Sequence, residues 1–365
     1  MTGALHFTDA DWERTERNWS AWWQGELDRP MIVVEAMSLP DFSLSAMFEH
    51  LTCYPVELSA DEIAGRLAPR LEALQLLGDA FPKWFPNFGP GVIAAFLGSP
   101  VDASTGTTWF HPSGLDLPSA DLVYSTDNPW WQRVASVTRA GINCWGNGVE
   151  VAHTDLGGNL DILASLRGTQ QLLLDLYDAP LEVERLLGQI TSLWLRYYQA
   201  FCEIIAPVNR GTACWAPLWA PGKGYRLQSD FAYMISTRMF ERLVMPDLTA
   251  CCDALDHAFY HLDGRGQIKH LDMLLSIERL RGIQWIPGDG APPPEEWLPL
   301  LKRIRDGGKL CQVYVSLEGA LTIARELGGR GFAFCIGNNG YPSLAEAEAA
   351  CAAFRAEGLL DQEDE

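Results

Sequence analysis

The sequence predicts an α/β fold of one kind, a (β/α)8 TIM barrel, with residues 1–365 forming a single domain. Three observations predict it. From about residue 150 onward, short apolar strands alternate with helices, which is the pattern of parallel βα units. No Gly-rich dinucleotide fingerprint follows the first strand, and this favours a closed barrel over an open doubly wound sheet. The chain is 365 residues long, 48% hydrophobic and 20% charged, a size and composition that one barrel with insertions uses.

Residues 1–30 form an N-terminal helical extension. Within it 8–26 reads as a helix, with Thr8 or Asp9 as cap and Trp12, Trp19, Trp22 and Trp23 on one face. The run MIVVEA at 31–36 is apolar and rich in β-branched residues, as a buried parallel strand is. Residues 59–77 read as an amphipathic helix opened by Ser59, Asp61 and Glu62. Between 100 and 127 the pattern breaks into turns, either an insertion or short β-hairpins.

The regular alternation then begins. Helices are predicted over 161–178 and 180–206, a strand over 212–218, and a helix over 230–259 that breaks near Pro246. Strands follow at 260–263, 283–286, 310–316 and 332–336. Helices separate and follow them: one ending near Ser276, then 294–306, 317–327 and 343–357. The proline-rich turn at 291–296 leads into the helix at 294–306, because proline is tolerated in a first turn.

Composition excludes several roles. The net charge is −20, from 47 acidic and 27 basic residues, and no Lys/Arg-rich run is present. Such a surface repels phosphate backbones and anionic lipid, so nucleic acid and membranes are not expected partners. No apolar run approaches the roughly 18 residues of a membrane span, and residues 1–11 lack the apolar segment of a secretory signal. The nine cysteines are scattered, without a CxxC pair. Cys202, Cys311 and Cys351 read as small buried hydrophobes, and a reducing cytoplasm is the expected compartment. The acidic residues 361–365 read as a solvated end. Several of the fourteen tryptophans (Trp84, Trp145, Trp215, Trp219 and Trp285) lie near glycine, proline or polar residues, which suggests a pocket as well as a core.

In a parallel barrel the chemistry sits just past the strand C-termini, and five places qualify. In YHLDG, His261 and Asp263 are two apart on a strand and point the same way. They could share a metal or a substrate, or Asp263 could simply orient His261. Cys335, ending the last strand before GNNG, is either a third zinc ligand beside them or a buried thiol. Asp230 is either a helix cap or a carboxylate presented to substrate. Gln284, Trp285 and Asp289 place an amide, an indole and a carboxylate around a Gly-rich turn, which by itself explains the glycines. Asn87 opens NFGPG, a loop that either brings backbone amides to a ligand or is a plain tight turn; it lacks the ending of a P-loop. No GxSxG elbow and no HExxH helix occurs.

At these residues the chain resembles the uroporphyrinogen decarboxylase-like superfamily. The resemblance is carried by GGNLDILASLRGTQQLLLDLYDAP at 157–180, Ser229-Asp230 with Ile235-Ser236 and Met239-Phe240, YHLDG, IQWIPGDG and the last Cys-x-Gly strand. It spans about 150–365, and it implies a (β/α)8 barrel. The decarboxylase branch uses an Arg-rich N-terminal segment, whereas here Arg29-Pro30 is followed only by MIVVEAM. The nearer branch is that of the corrinoid-dependent methyltransferases of the methylcobalamin:coenzyme M type, which bind zinc through His-x-Cys and a distant Cys. On that resemblance His261 and Cys335 match two ligands, and Asp263 stands where the branch has Cys. An Asp oxygen in place of a thiolate makes the site harder, which would suit an oxygen or amine leaving group better than thiolate activation.

The resemblance thus implies a metal-assisted methyltransferase. His261, Asp263 and Cys335 would hold zinc, Asp230 would join His261 and Asp263 in catalysis, and Asn87, Trp215, Gln284, Trp285 and Asp289 would meet a small substrate. The chain carries no DxHxxG motif, so the corrinoid would come on a partner protein. A homodimer is the self-assembly this reading allows. Two alternatives stand beside it. One is a cofactor-free decarboxylase or lyase of a small carboxylic acid, with Asp230 and His261 as acid and base. The other is a non-catalytic paralogue that only binds a ligand.

Overall fold

The structure is a computed structural model that describes residues 2–37, 49–337 and 342–362. Eight strands make up the barrel: β1 (Met31–Met37), β2 (Lys83–Trp84), β3 (Glu150–Val151), β4 (Gly224–Leu227), β5 (His257–Asp263), β6 (Leu280–Ile286), β7 (Leu310–Val315) and β8 (Phe332–Ile336). Six are joined in one parallel ladder, in the order β1, β8, β7, β6, β5, β4. β2 pairs with β3 in parallel. The ring closes through shorter links. His153 N donates to Ala213 O at 2.9 Å, and Gly224 N donates to the Thr212 hydroxyl at 2.8 Å. On the other side Leu74–Gly78 lies antiparallel to β1 and turns at Asp79 into β2. Gly78 has φ +65°, and a Cβ there would stand 2.3 Å from Ile32 O, so the turn needs glycine.

Alternation along the strands sorts side chains into two cores. Ile32, Val34, Tyr225, Leu227, Tyr260, Leu262, Ile283, Val313 and Phe334 face outward and pack under the helices. Met31, Val33, Phe259, Leu310, Ala333 and Cys335 face inward. Helix α1 (Asp9–Gln24) seals the N-terminal end of the barrel. It starts in a capping box between Thr8 and Asp11 and ends at Gly25, φ +71°. Trp12, Trp19, Trp22 and Trp23 are buried on its inner face. The Trp22 ring lies 6.1 Å from Phe259 and its indole N–H donates to Phe332 O at 3.1 Å, while the Trp23 N–H donates to Trp219 O at 2.9 Å.

Several predicted elements take a different form. The helix expected over 59–77 stops at Ala73, and Leu74–Gly78 is a strand because its backbone completes the ladder of β1. The strand expected over 212–218 shrinks to Thr212–Ala213, paired with Trp219–Ala220, and the barrel strand is Gly224–Leu227. The helix over 230–259 is a 3-10 turn (Asp230–Met234) and two helices (Thr237–Leu243 and Met245–Ala254), and β5 has already begun at His257. The stretch 161–178 is two helices that part at Gly168, φ +92°. Within 100–127 the chain forms a short hairpin, Val101–Asp102 against Trp109–Phe110.

Among the described residues no helix is long and apolar enough to cross a membrane. All nine cysteines are free, and Cys202, Cys311 and Cys351 are buried. Of the acidic end, Asp361 is held by Arg29 at 2.8 Å, and 363–365 lie outside the described residues, as does the NNG that follows Gly337.

Candidate functional site

His261 and Asp263 stand at the C-terminal end of β5, inward-facing by strand alternation, and Asp230 follows β4 by three residues. One ligand atom from each of Asp230, His261 and Asp263 lies within 4.8 Å of the others. Three ligands at about 2.0–2.2 Å from one tetrahedral centre lie about 3.5 Å apart, so the group would draw in on binding an ion. Two carboxylate oxygens and an imidazole nitrogen form a donor set that suits zinc or another metal taking oxygen and nitrogen ligands.

The environment is acidic, and Asp230 opens it to solvent. Asp161 accepts from Phe231 N at 2.7 Å and Asp230 N at 3.0 Å, so it shapes the turn that presents Asp230. Asp155 accepts from Gly157 N at 2.9 Å, Gly91 N at 3.4 Å and Gln228 Nε2 at 3.3 Å. Burial, then the charges of Asp161, Asp263 and Asp155, push the Asp230 carboxyl up to about 8. Burial and the nearby Asp289 likewise raise Asp263. Burial holds the His261 imidazole down to about 4, opposed by its bond to Gln284 and helped by the charge of Arg226. At neutral pH His261 is therefore uncharged, as a metal ligand or proton acceptor needs to be.

His261 Nδ1 lies 2.6 Å from Gln284 Oε1, leaving Nε2 for other work. The Trp215 ring stands edge-on to the imidazole at 5.0 Å and lies under the Arg226 guanidinium at 4.7 Å.

The structure thus brings together His261, Asp263, Asp230, Gln284, Trp215 and, through its charge, Asp289. It does not bring Cys335 into the donor group. Cys335 faces inward, and Gln312 Nε2 donates to its sulfur at 3.3 Å. Burial pushes its thiol up to about 12, so it is a neutral buried thiol. The third place beside His261 and Asp263 is held by Asp230. Trp285 also points elsewhere: adjacent to Gln284 on β6, it faces outward and packs on Trp297 at 5.1 Å. Asn87 is buried, its Oδ1 accepting from Gly89 N at 3.0 Å, and the NFGPG loop is spent on Asp155 through Gly91. Glu35 faces inward near Cys335 and Tyr314.

Four participants escaped the sequence reading: Asp155, Asp161, Arg226 and Gln312. Asp155 follows β3, whose two paired residues leave little pattern to find. Arg226 carried a usable signal, since Tyr225 and Leu227 flank it in strand alternation and mark it as inward.

A parallel barrel closed at its N-terminal end, with an acid- and imidazole-bearing mouth at its C-terminal end, defines the class. Comparison with solved structures agrees on the fold. A methyltransferase from Methanosarcina mazei superposes with a TM-score of 0.63 at 11% identity, covering 94% of this chain and 98% of that one. A B12-independent methionine synthase from Shewanella sp. W3-18-1, in complex with selenomethionine, matches at a TM-score of 0.38 and 10% identity, over 72% of this chain and 76% of that one. At such identities the likeness is one of fold, and only the first is close enough to bear on it. No protein-family model matches the sequence, and no curated protein does.

Proposed function

We propose that this protein is a metal-assisted methyltransferase whose substrate meets Asp230, His261 and Asp263 at the barrel mouth. The observation that carries the reading is that donor group, standing at the strand C-termini where barrels of this kind do their chemistry. The Methanosarcina mazei protein, a methyltransferase of the same fold, supports it. Asp230, His261 and Asp263 would hold zinc, which when bound supplies Lewis-acid polarisation of the heteroatom that gives or takes the methyl group. Two carboxylate donors favour oxygen or nitrogen as that atom. Gln284 holds the His261 ring in place, and Trp215 walls one side of it. The other methyl carrier would be a corrinoid on a partner protein.

The test is elemental analysis after chelator-free preparation, joined to an assay of methyl transfer between small O- or N-methyl compounds and free cobalamin. The wild type and Cys335→Ser are expected to carry about one zinc per chain. His261→Ala is expected to carry none and to lose roughly 100-fold or more of kcat/KM. Full metal and full activity in His261→Ala would sink the reading.

A second reading is favoured by the same geometry. A carboxyl held up to about 8 beside an uncharged imidazole is an acid–base pair with unlike roles. A cofactor-free decarboxylase or lyase of a small carboxylic acid would use it. Turnover of such an acid, indifferent to chelator and cobalamin, would select this reading over methyl transfer.

A further inference from the structure

Beneath the donor group the barrel interior holds a continuous chain of polar side chains. Arg226 Nη2 donates to Gln312 Oε1, and Gln284 Nε2 donates to the same oxygen at 3.2 Å. Gln284 Oε1 then faces His261 Nδ1 at 2.6 Å. The chain crosses from β4 over β7 and β6 to β5. Strand register aligns the last three members, His261 with Gln284 and Gln284 with Gln312. Arg226, Gln284 and Gln312 have no solvent exposure.

A buried arginine normally has a carboxylate partner, because an unpaired charge away from water is costly. Among the described residues Arg226 forms no ion pair. Its Nε and Nη1 have no acceptor, and its guanidinium lies over Trp215 at 4.7 Å and Phe259 at 5.7 Å. A guanidinium does have one property that no neutral residue shares at this place: it donates only, and it keeps its protons.

We propose that Arg226 is a positioning residue that, through Gln312 and Gln284, holds the proton of His261 on Nδ1 and leaves the Nε2 lone pair bare. Facing a pure donor, Gln312 must present its carbonyl oxygen. Pro217 O, a pure acceptor, takes Gln312 Nε2 at 3.0 Å and demands the same orientation from the other side. Gln284 must then meet the Gln312 oxygen with its amide N–H. That leaves the Gln284 carbonyl for His261, and a carbonyl only accepts, so Nδ1 must donate. A neutral imidazole has one proton, and Nε2 is left free for a metal or a substrate proton. Turning either amide would set donor against donor or acceptor against acceptor inside a dry core. Cys335, accepting from Gln312 Nε2 at 3.3 Å, belongs to this chain as an acceptor. The proposal rests on the functional reading only for what uses the lone pair.

The test is two-bond 1H–15N NMR of metal-free, histidine-labelled protein at mildly alkaline pH. The chain has seven histidines, and the signal lost in His261→Asn identifies the ring of interest. The wild type is expected to show a protonated Nδ1 and a bare Nε2. Arg226→Met, which leaves only Pro217 O and the Cys335 sulfur to orient Gln312, is expected to show the second tautomer beside the first and zinc binding weaker by about 10-fold. Arg226→Lys, which keeps a buried donor, should restore the single tautomer. If Arg226→Met does not fold, Gln284→Leu removes the acceptor of Nδ1 and should give the same mixture. A wild-type ring protonated on Nε2 overturns the proposal without any variant. So does a folded Arg226→Met with wild-type zinc affinity and an unchanged tautomer. Nδ1–H in a wild type that binds no zinc leaves the relay standing and removes the metal. Zinc bound by a protein with Nε2–H does the reverse.

Discussion

Asp79 accepts from Asn18 Nδ2 at 2.9 Å, from Arg29 at 2.7 and 3.0 Å, and from Ile32 N at 2.9 Å. One carboxylate thereby ties α1, the entry to β1 and the turn after Gly78. Its side chain and that of Arg29 are almost fully buried, so Asp79→Ala would leave a buried guanidinium with only the exposed Asp361 as carboxylate partner. The expected loss is about 3–5 kcal/mol, read as a lower urea midpoint at unchanged slope. Glu150 makes a prediction about pH. It accepts from Trp219 Nε1 at 3.1 Å, Arg210 N at 2.9 Å and Gly211 N at 3.0 Å, yet its other oxygen has no partner. Burial pushes it up to about 7, against those bonds. The folded state therefore holds this proton more tightly than the unfolded chain. The stability it contributes is complete below the ordinary carboxylate range and is lost as pH rises through about 7. Glu150→Gln mimics the protonated form. Its melting temperature should rise relative to wild type from pH 5 to pH 8, by an amount worth on the order of 3 kcal/mol. A constant difference across that window would refute the assignment.

Among the elements, α1 packs four tryptophans against the inner cluster of the barrel. A barrel of alternating side chains is open at its N-terminal end unless something fills it, and four tryptophans on one helical face do so here. Trp22→Ala should cost about 3–5 kcal/mol in chemical denaturation, because the rigid ladder around Phe259 cannot collapse into the space. That face was legible in the sequence from the spacing of Trp12, Trp19, Trp22 and Trp23. The strands with long apolar runs, β1, β7 and β8, were legible too, since burial on both faces leaves mostly apolar residues. The misread elements share a cause. In Leu74–Gly78 the local pattern continues a helix, and pairing with β1 overrides it. In Gly224–Leu227 an inward arginine breaks the apolar run, so the strand went unseen along with Arg226.

For the whole molecule, charge sets the prediction. Even if all 27 basic residues were paired, 20 of the 47 acidic ones would remain. Self-repulsion should therefore outweigh the surface ion pairs, each worth little. The melting temperature is expected to rise as ionic strength goes from near zero to about 0.15 M, where the screening length falls to about 8 Å. A fall would mean that the ion pairs dominate. The sequence by itself determined the barrel, its sealing helix and the pair His261 and Asp263, because strand period and strand-end position are local properties that residue spacing records. Only the tertiary structure decided that Asp230 and not Cys335 completes the donor group, that Trp285 faces away, and that Arg226, Gln312 and Gln284 back His261. Those facts depend on which strands are neighbours and in what register, and hydrogen bonds across a barrel leave no periodic trace along the chain.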